Sequence, residues 1–218
     1  MPANSGDLDE MPIVHQSDNV GPLNCPDEWL CHWTRARSGP WPDESAEDHL
    51  DALILGCDSA DHSAFAAIVR IAETGRLLRT ALSKNCVSLT EVPLSEFRGR
   101  RTYRRHLRRY DFEPWGVAIR KSALARLGAK PVRYLGNPTV DADWNTHPKR
   151  DRSGSIDWSL EREWRFPGDI VLTELNPADL VFFVDSQIEA NMLGKLLEWP
   201  VVVVPNDSEA GNRQKNGK

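Results

Sequence analysis

Apolar residues along the chain fall into short clusters, each bounded by turn-forming residues. Trp29-Leu30-Cys31-His32-Trp33-Thr34 is a compact apolar run and predicts a strand, and Gly39-Pro40-Trp41-Pro42 predicts the turn after it. Ser45, with Asp48 three residues on, resembles a capping box. Leu50, Leu53 and Ile54 follow at helical spacing, and Gly56 predicts the stop. Phe65, Ile68, Val69 and Ala72 predict a second amphipathic helix, ended by Gly75. Asn85 to Val92 predicts a buried strand, with Cys86-Val87-Ser88-Leu89-Thr90 at its centre.

Beyond Pro93 the chain enters an arginine-rich stretch. Trp115 to Arg120 predicts a strand, Ser122 to Leu127 a short helix, and Pro131 to Leu135 another strand. Residues 136–156 are polar and contain Pro138, Pro148 and Gly154, which predicts an unusually long loop. Trp158 to Phe166 alternates: Leu160, Trp164 and Phe166 on one side, Glu161, Glu163 and Arg165 on the other. Ile170 to Leu172 and Leu180 to Val184 predict further strands. Ser186 with Glu189 predicts a capped helix through Ile188, Met192 and Leu196, and Val201 to Val204 a continuously buried final strand. Strands in irregular order with short helices between them predict an α+β domain, its sheet mixed or antiparallel, rather than a doubly wound one. Residues 1–24 are expected to form a flexible leader, 25–205 a single domain and 206–218 a disordered tail.

Composition supports this picture. A chain of 218 residues with 40% apolar and 27% charged residues can bury a core, and eight tryptophans add large apolar area. Four cysteines without a C-x-x-C pair do not suggest a disulfide scaffold, and Cys31 and Cys86 read as buried thiols. No run reaches membrane-spanning length, so the cytoplasm is the expected location. The net charge is −5, yet Arg98 to Arg109 holds seven arginines and no acid. As a helix this segment would place Arg98, Arg101, Arg105 and Arg108 on one face, with Tyr103, Leu107 and Tyr110 as an inner stripe. Such a face could meet the phosphates of a nucleic acid or an acidic protein partner, or bridge to the acidic body of the same chain.

Candidate chemistry lies on three strands. Glu161 and Glu163, two apart on a strand, would share a face and raise one another's pKa, or else form a solvated face paired with nearby arginines. His32 is either a satisfied core histidine or a hydrogen-bond donor to a bound sugar or phosphate, with Arg35 and Arg37 following. Ser88 and Thr90 could orient a ribose or cap a neighbour. Cys25, Cys31 and His32 lack metal-ligand spacing, and no metal is expected.

Leu30-Cys-His-Trp-Thr-Arg35, Cys86-Val-Ser-Leu-Thr-Glu91, Phe112-Glu-Pro-Trp-Gly116 and Trp158-Ser-Leu-Glu-Arg-Glu-Trp-Arg165 resemble blocks of the abortive-infection AbiGi-like and DUF2971-like families of bacterial proteins. The order of elements is also distantly similar to ADP-ribosyltransferases, which present a His or Arg on a first strand, a Ser or Thr on a middle strand and a Glu on a late strand. That resemblance implies NAD as substrate and a defence or toxin role. Glu163 would stabilise the oxocarbenium-like state and Glu161 would activate the acceptor. His32 would bind the adenosine ribose, and Ser88 or Thr90 would lie at the middle strand, Thr90 positioning the nicotinamide end. Arg35 or the 98–109 segment would meet the pyrophosphate. Two other function classes remain beside it. One is a nucleic-acid-binding or nuclease-like protein that uses Arg98 to Arg109. The other is a non-catalytic interaction module.

Overall fold

A computed structural model describes residues 26–80, 84–96, 103–105, 109–136, 143–150, 154 and 156–204. The expected leader at 1–24, the tail at 206–218 and Arg98, Arg101 and Arg108 lie outside the described residues. The central element is a seven-stranded sheet. Its members are β1 (Trp29–Trp33), β3 (Cys86–Thr90), β6 (Gly116–Arg120), β7 (Lys130–Pro131), β10 (Glu163–Pro167), β12 (Leu180–Val184) and β13 (Val201–Val203). Their spatial order is β13-β12-β6-β1-β3-β10-β7. Every pairing within this sheet is antiparallel except β12 with β13, and outside it β2 (Arg76–Leu77) pairs antiparallel with β11 (Ile170–Val171). The α+β expectation holds.

Alternation along the strands sorts the core onto two faces. Leu30, Val87, Leu89, Val117, Ile119, Leu180, Phe182 and Val184 form one. Against them pack Ile68 and Ala72 of helix α2 (Ala64–Thr74), Leu124 of α3 (Lys121–Arg126) and Leu193 of α4 (Gln187–Leu193). Trp29, Cys31, Trp33, Ala118, Val181 and Phe183 form the other face, closed by Leu94, Phe112 and Val204. Each fully buried Leu, Ile or Phe contributes roughly 1.5–3 kcal/mol by area. Cys31 and Cys86 are buried free thiols, and burial pushes Cys31 up to about 12.

Local signals set the helix ends. Ser45 Oγ accepts from the Asp48 N–H at the start of α1 (Ala46–Leu55), and Ser63 Oγ accepts from Ala66 at the start of α2. Gly56 and Gly75 close these helices at φ 64° and 63°, a left-handed geometry that glycine adopts without steric cost. Ser186 and Glu189 complete a reciprocal capping box on α4.

Several expectations are corrected. The α1 stripe of Leu50, Leu53 and Ile54 is exposed, because this helix packs through His49 and Ala52. In α4 the inward residues are Ala190 and Leu193, and Ile188, Met192 and the following Leu196 face outward. β13 is half-buried rather than continuously buried, because it is an edge strand. The predicted strand at 131–135 is two strands: Lys130–Pro131 joins β10, and β8 (Arg133–Leu135) pairs with β9 (Thr146–Pro148), which lies inside the expected loop. The arginine segment is not a helix in its described residues. β4 (Tyr103–Arg104) pairs antiparallel with β5 (Arg109–Tyr110), and the Tyr103 and Tyr110 rings meet edge-on at 5.1 Å. Like charges at i,i+3 and i,i+4 would repel along a helix, and the cross-strand tyrosine pair favours the two-stranded form.

Gly116 is a point of close approach. A β-carbon there would lie 2.1 Å from the His32 carbonyl oxygen and 2.5 Å from the Phe183 ring. Gly116→Ala is therefore expected to cost at least about 1–3 kcal/mol. A urea midpoint equal to wild type would contradict this packing.

Candidate functional site: a cavity at a splayed strand junction

β1 pairs with β6 from Trp29↔Arg120 through Trp33↔Gly116, and β3 pairs with β10 from Thr90↔Glu163 through Cys86↔Pro167. Between β1 and β3 the ladder registers only at Cys31↔Thr90. The end of β1 and the start of β3 therefore part. Beside them opens a cavity of about 720 Å³, a size suited to a small organic ligand or nucleotide. His32, Arg35, Ser88, Thr90, Glu161 and Glu163 all line it.

A polar chain crosses the junction. His32 Nδ1 lies 2.9 Å from the Ser88 carbonyl. A carbonyl only accepts, so Nδ1 carries the proton and the neutral ring keeps an acceptor at Nε2. His32 is held below its ordinary 6.5 by burial, against the opposing effect of the Ser88 carbonyl and with help from the Arg35 charge. An acceptor at Nε2 corrects the expectation that His32 donates to a ligand. Ser88 Oγ in turn donates to Glu163 Oε1 at 2.8 Å.

Glu163 is held from several sides. Arg165 grips it in bidentate fashion, Nε to Oε1 at 2.9 Å and Nη2 to Oε2 at 3.2 Å. The Glu163 backbone N–H donates to the Tyr134 hydroxyl at 3.0 Å, and burial pushes that phenol up to about 12. Arg165 is buried, and its Nη1 donates to the carbonyls of Trp144 and Thr146. This fork fixes the carboxylate in one orientation.

Glu161 departs from the expected strand. Trp158–Glu161 forms a 3₁₀ turn whose N-cap, Asp157, accepts from the Ser159 N–H, and Arg162 adopts a left-handed φ of 46°. The strand begins only at Glu163, so the two glutamates are not partners on one strand face. Arg162 sustains that uncommon geometry by donating its side chain to the Glu91 carbonyl at 3.0 Å. Thr90 is also more structural than expected. Its hydroxyl donates to the Glu161 carbonyl and accepts from the Val92 N–H, which ties the turn to the end of β3.

The cavity has a basic wall. Arg35 and Arg37 line it, and neither forms an ion pair among the described residues. Arg70 lines it too but pairs with Asp43 and stacks on Trp41 at 5.4 Å. Arg105 is exposed in the turn after β4 and is not among the lining residues. Pairing of Glu163 with Arg165 is the arginine-paired alternative that the sequence offers, but the pair is buried rather than on a solvated strand face. Trp41 reaches the cavity from a loop, His147 from β9 and Trp158 from the 3₁₀ turn, and no local pattern announces that. Comparisons with protein-family models, curated proteins and solved structures find no match to this chain.

Two outcomes follow from the geometry. Arg165→Ala would leave the Glu163 carboxylate unpaired in a largely buried position and free the Trp144 and Thr146 carbonyls. It is expected to cost about 3–5 kcal/mol in denaturant unfolding, and Arg165→Lys, which keeps the charge but not the fork, less. A variant with wild-type stability would show that the ion pair is not structural. For His32, the unfolded imidazole takes its proton near 6.5 and the folded one resists it. Its stabilising contribution is therefore fully present above pH 6.5 and is lost as the pH falls toward the lower folded value. His32→Gln should flatten the fall in stability between neutral and mildly acid pH, and an unchanged profile would remove the assigned burial effect.

Proposed function

We propose that the cavity binds NAD and that the chain cleaves its nicotinamide–ribose bond, passing ADP-ribose to an acceptor or to water. The observation that carries this reading is the chain His32–Ser88–Glu163 across the splayed junction, inside one cavity with a basic rim. In the reaction, the bond from ribose C1′ to the nicotinamide nitrogen breaks and its electron pair leaves with nicotinamide. Positive charge grows on the ribose, and a carboxylate oriented beforehand stabilises it without reorganising. Glu163 supplies that carboxylate, held by Arg165 and Ser88. Neutral His32 accepts a ribose hydroxyl at Nε2. Arg35 and Arg37 face the pyrophosphate. Glu161, on the turn before β10, takes the proton of the attacking acceptor.

The hairpin of the arginine segment favours a second use. Tyr103 and Tyr110 are 51% and 37% exposed and are neighboured in the sequence by arginines. Exposed aromatic rings among cations suit stacking against nucleobases, which makes RNA or DNA either the acceptor or the sole ligand.

The test is incubation of the purified chain with NAD while nicotinamide release is followed, alone and with RNA, DNA or protein as acceptor. Glu163→Gln is expected to lower release by about 10²–10³-fold, with the denaturation midpoint recorded to separate chemistry from unfolding. Release by the variant at the wild-type rate rejects the role of Glu163. No release in any arm rejects NAD cleavage, and salt-sensitive nucleic-acid binding in those same samples would leave the second use standing.

A further inference from the structure

Behind the cavity wall lies a second cluster that no sequence pattern signals. Glu44 precedes the N-cap of α1, His49 follows one turn into that helix, and His62 precedes the N-cap of α2. One donor atom from each lies within 4.8 Å of the others. His62 Nε2 is 3.3 Å and His49 Nδ1 is 3.7 Å from Glu44 Oε2. Two donors bound about 2.1 Å from a tetrahedral ion stand about 3.4 Å apart, so the spacing is that of ligands converging on one centre.

Protonation states sharpen the point. His62 Nδ1 lies 2.8 Å from the Gly39 carbonyl, which can only accept, so Nδ1 carries the proton. That leaves Nε2 as the ring atom turned toward the carboxylate and open to a metal ion. Although Nε2 is 3.3 Å from Oε2, neither it nor His49 Nδ1 makes a hydrogen bond, and both atoms are buried. His62 is 7% exposed and His49 9%. Two buried ring nitrogens without hydrogen bonds face one carboxylate oxygen, an arrangement that a cation bound between them would satisfy. An imidazole whose far N–H is fixed by a backbone carbonyl is also the usual outer support of a metal-bound histidine.

We propose that Glu44, His49 and His62 bind one divalent first-row transition ion, zinc by preference. Two imidazoles and a carboxylate match the borderline character of that ion and fill three of its four positions. The ion has a structural consequence. Trp41 donates its backbone N–H to Glu44 Oε2, and its ring lies 4.5 Å from that of His62. Trp41 also lines the cavity. The ion would therefore pin the first turn of α1 to the 36–44 loop and brace that side of the cavity. This inference is independent of what the cavity binds.

The test uses the full chain, stripped with a chelator and dialysed against micromolar free zinc. Mass-spectrometric metal analysis is expected to give one zinc per chain, and zinc should raise the melting temperature by several degrees. Substitution of cobalt should give visible d–d bands without a thiolate charge-transfer band, since exposed Cys57 is not a ligand. His62→Gln and Glu44→Gln should each weaken binding at least tenfold and abolish the thermal shift. The idea is overturned if the wild-type chain holds no zinc, if cobalt shows thiolate ligation, or if the folded variants bind as tightly as wild type. Should a variant not fold, the wild-type stoichiometry and cobalt spectrum still decide.

Discussion

A guanidinium locked inside the protein organises the rest of this structure. Arg165 cannot shed its charge, so burial is tolerable only where its donors are answered. Glu163 answers two of its five N–H donors, and the carbonyls of Trp144 and Thr146 answer two more. That requirement ties β10 to the 143–148 segment and holds the Glu163 carboxylate still. The same bonds that relieve the buried charge thus prepare the group best placed for chemistry. Stability and candidate function share one set of contacts here.

The second constraint is the interrupted ladder between β1 and β3. An intact sheet would fill this space with backbone hydrogen bonds and leave no room for a ligand. Parting the strands exposes the Ser88 carbonyl, and His32 satisfies it with a side chain. The parting is tolerated because each strand is fully paired on its other side, β1 with β6 and β3 with β10. Gly116 contributes by letting the β1 backbone sit close at His32, where a larger residue would collide. The parted strands thus form one wall of the cavity, and α2, the Trp41 loop and the Trp158 turn supply the others.

Polar anchors also decide how the flanking pieces dock. The apolar stripe of α1 faces outward while its His49 side turns toward Glu44 and His62. Thr90 and Arg162 similarly use polar atoms to hold a turn against the end of β3. No helix among the described residues is long and apolar enough to cross a membrane.

Local pattern alone determined the elements whose physics is local. The strands at 29–33, 86–90, 116–120 and 180–184, the caps at Ser45 and Ser186 and the stops at Gly56 and Gly75 follow from side-chain periodicity, hydroxyl capping and backbone freedom. So did the α+β class, whereas the sharing of one cavity by His32, Ser88, Thr90 and Glu163 rests on the pairing of distant strands. The tertiary structure decided what depends on partners distant in sequence. Arg162 turns left-handed because Glu91, 71 residues away, receives its side chain, and that turn separates Glu161 from the strand of Glu163. The buried sides of α1 and α4 are chosen by the surfaces they meet, which their own apolar spacing does not encode. The Glu44–His49–His62 cluster exists only because two helix starts are brought side by side, and no spacing rule within one element could reveal it.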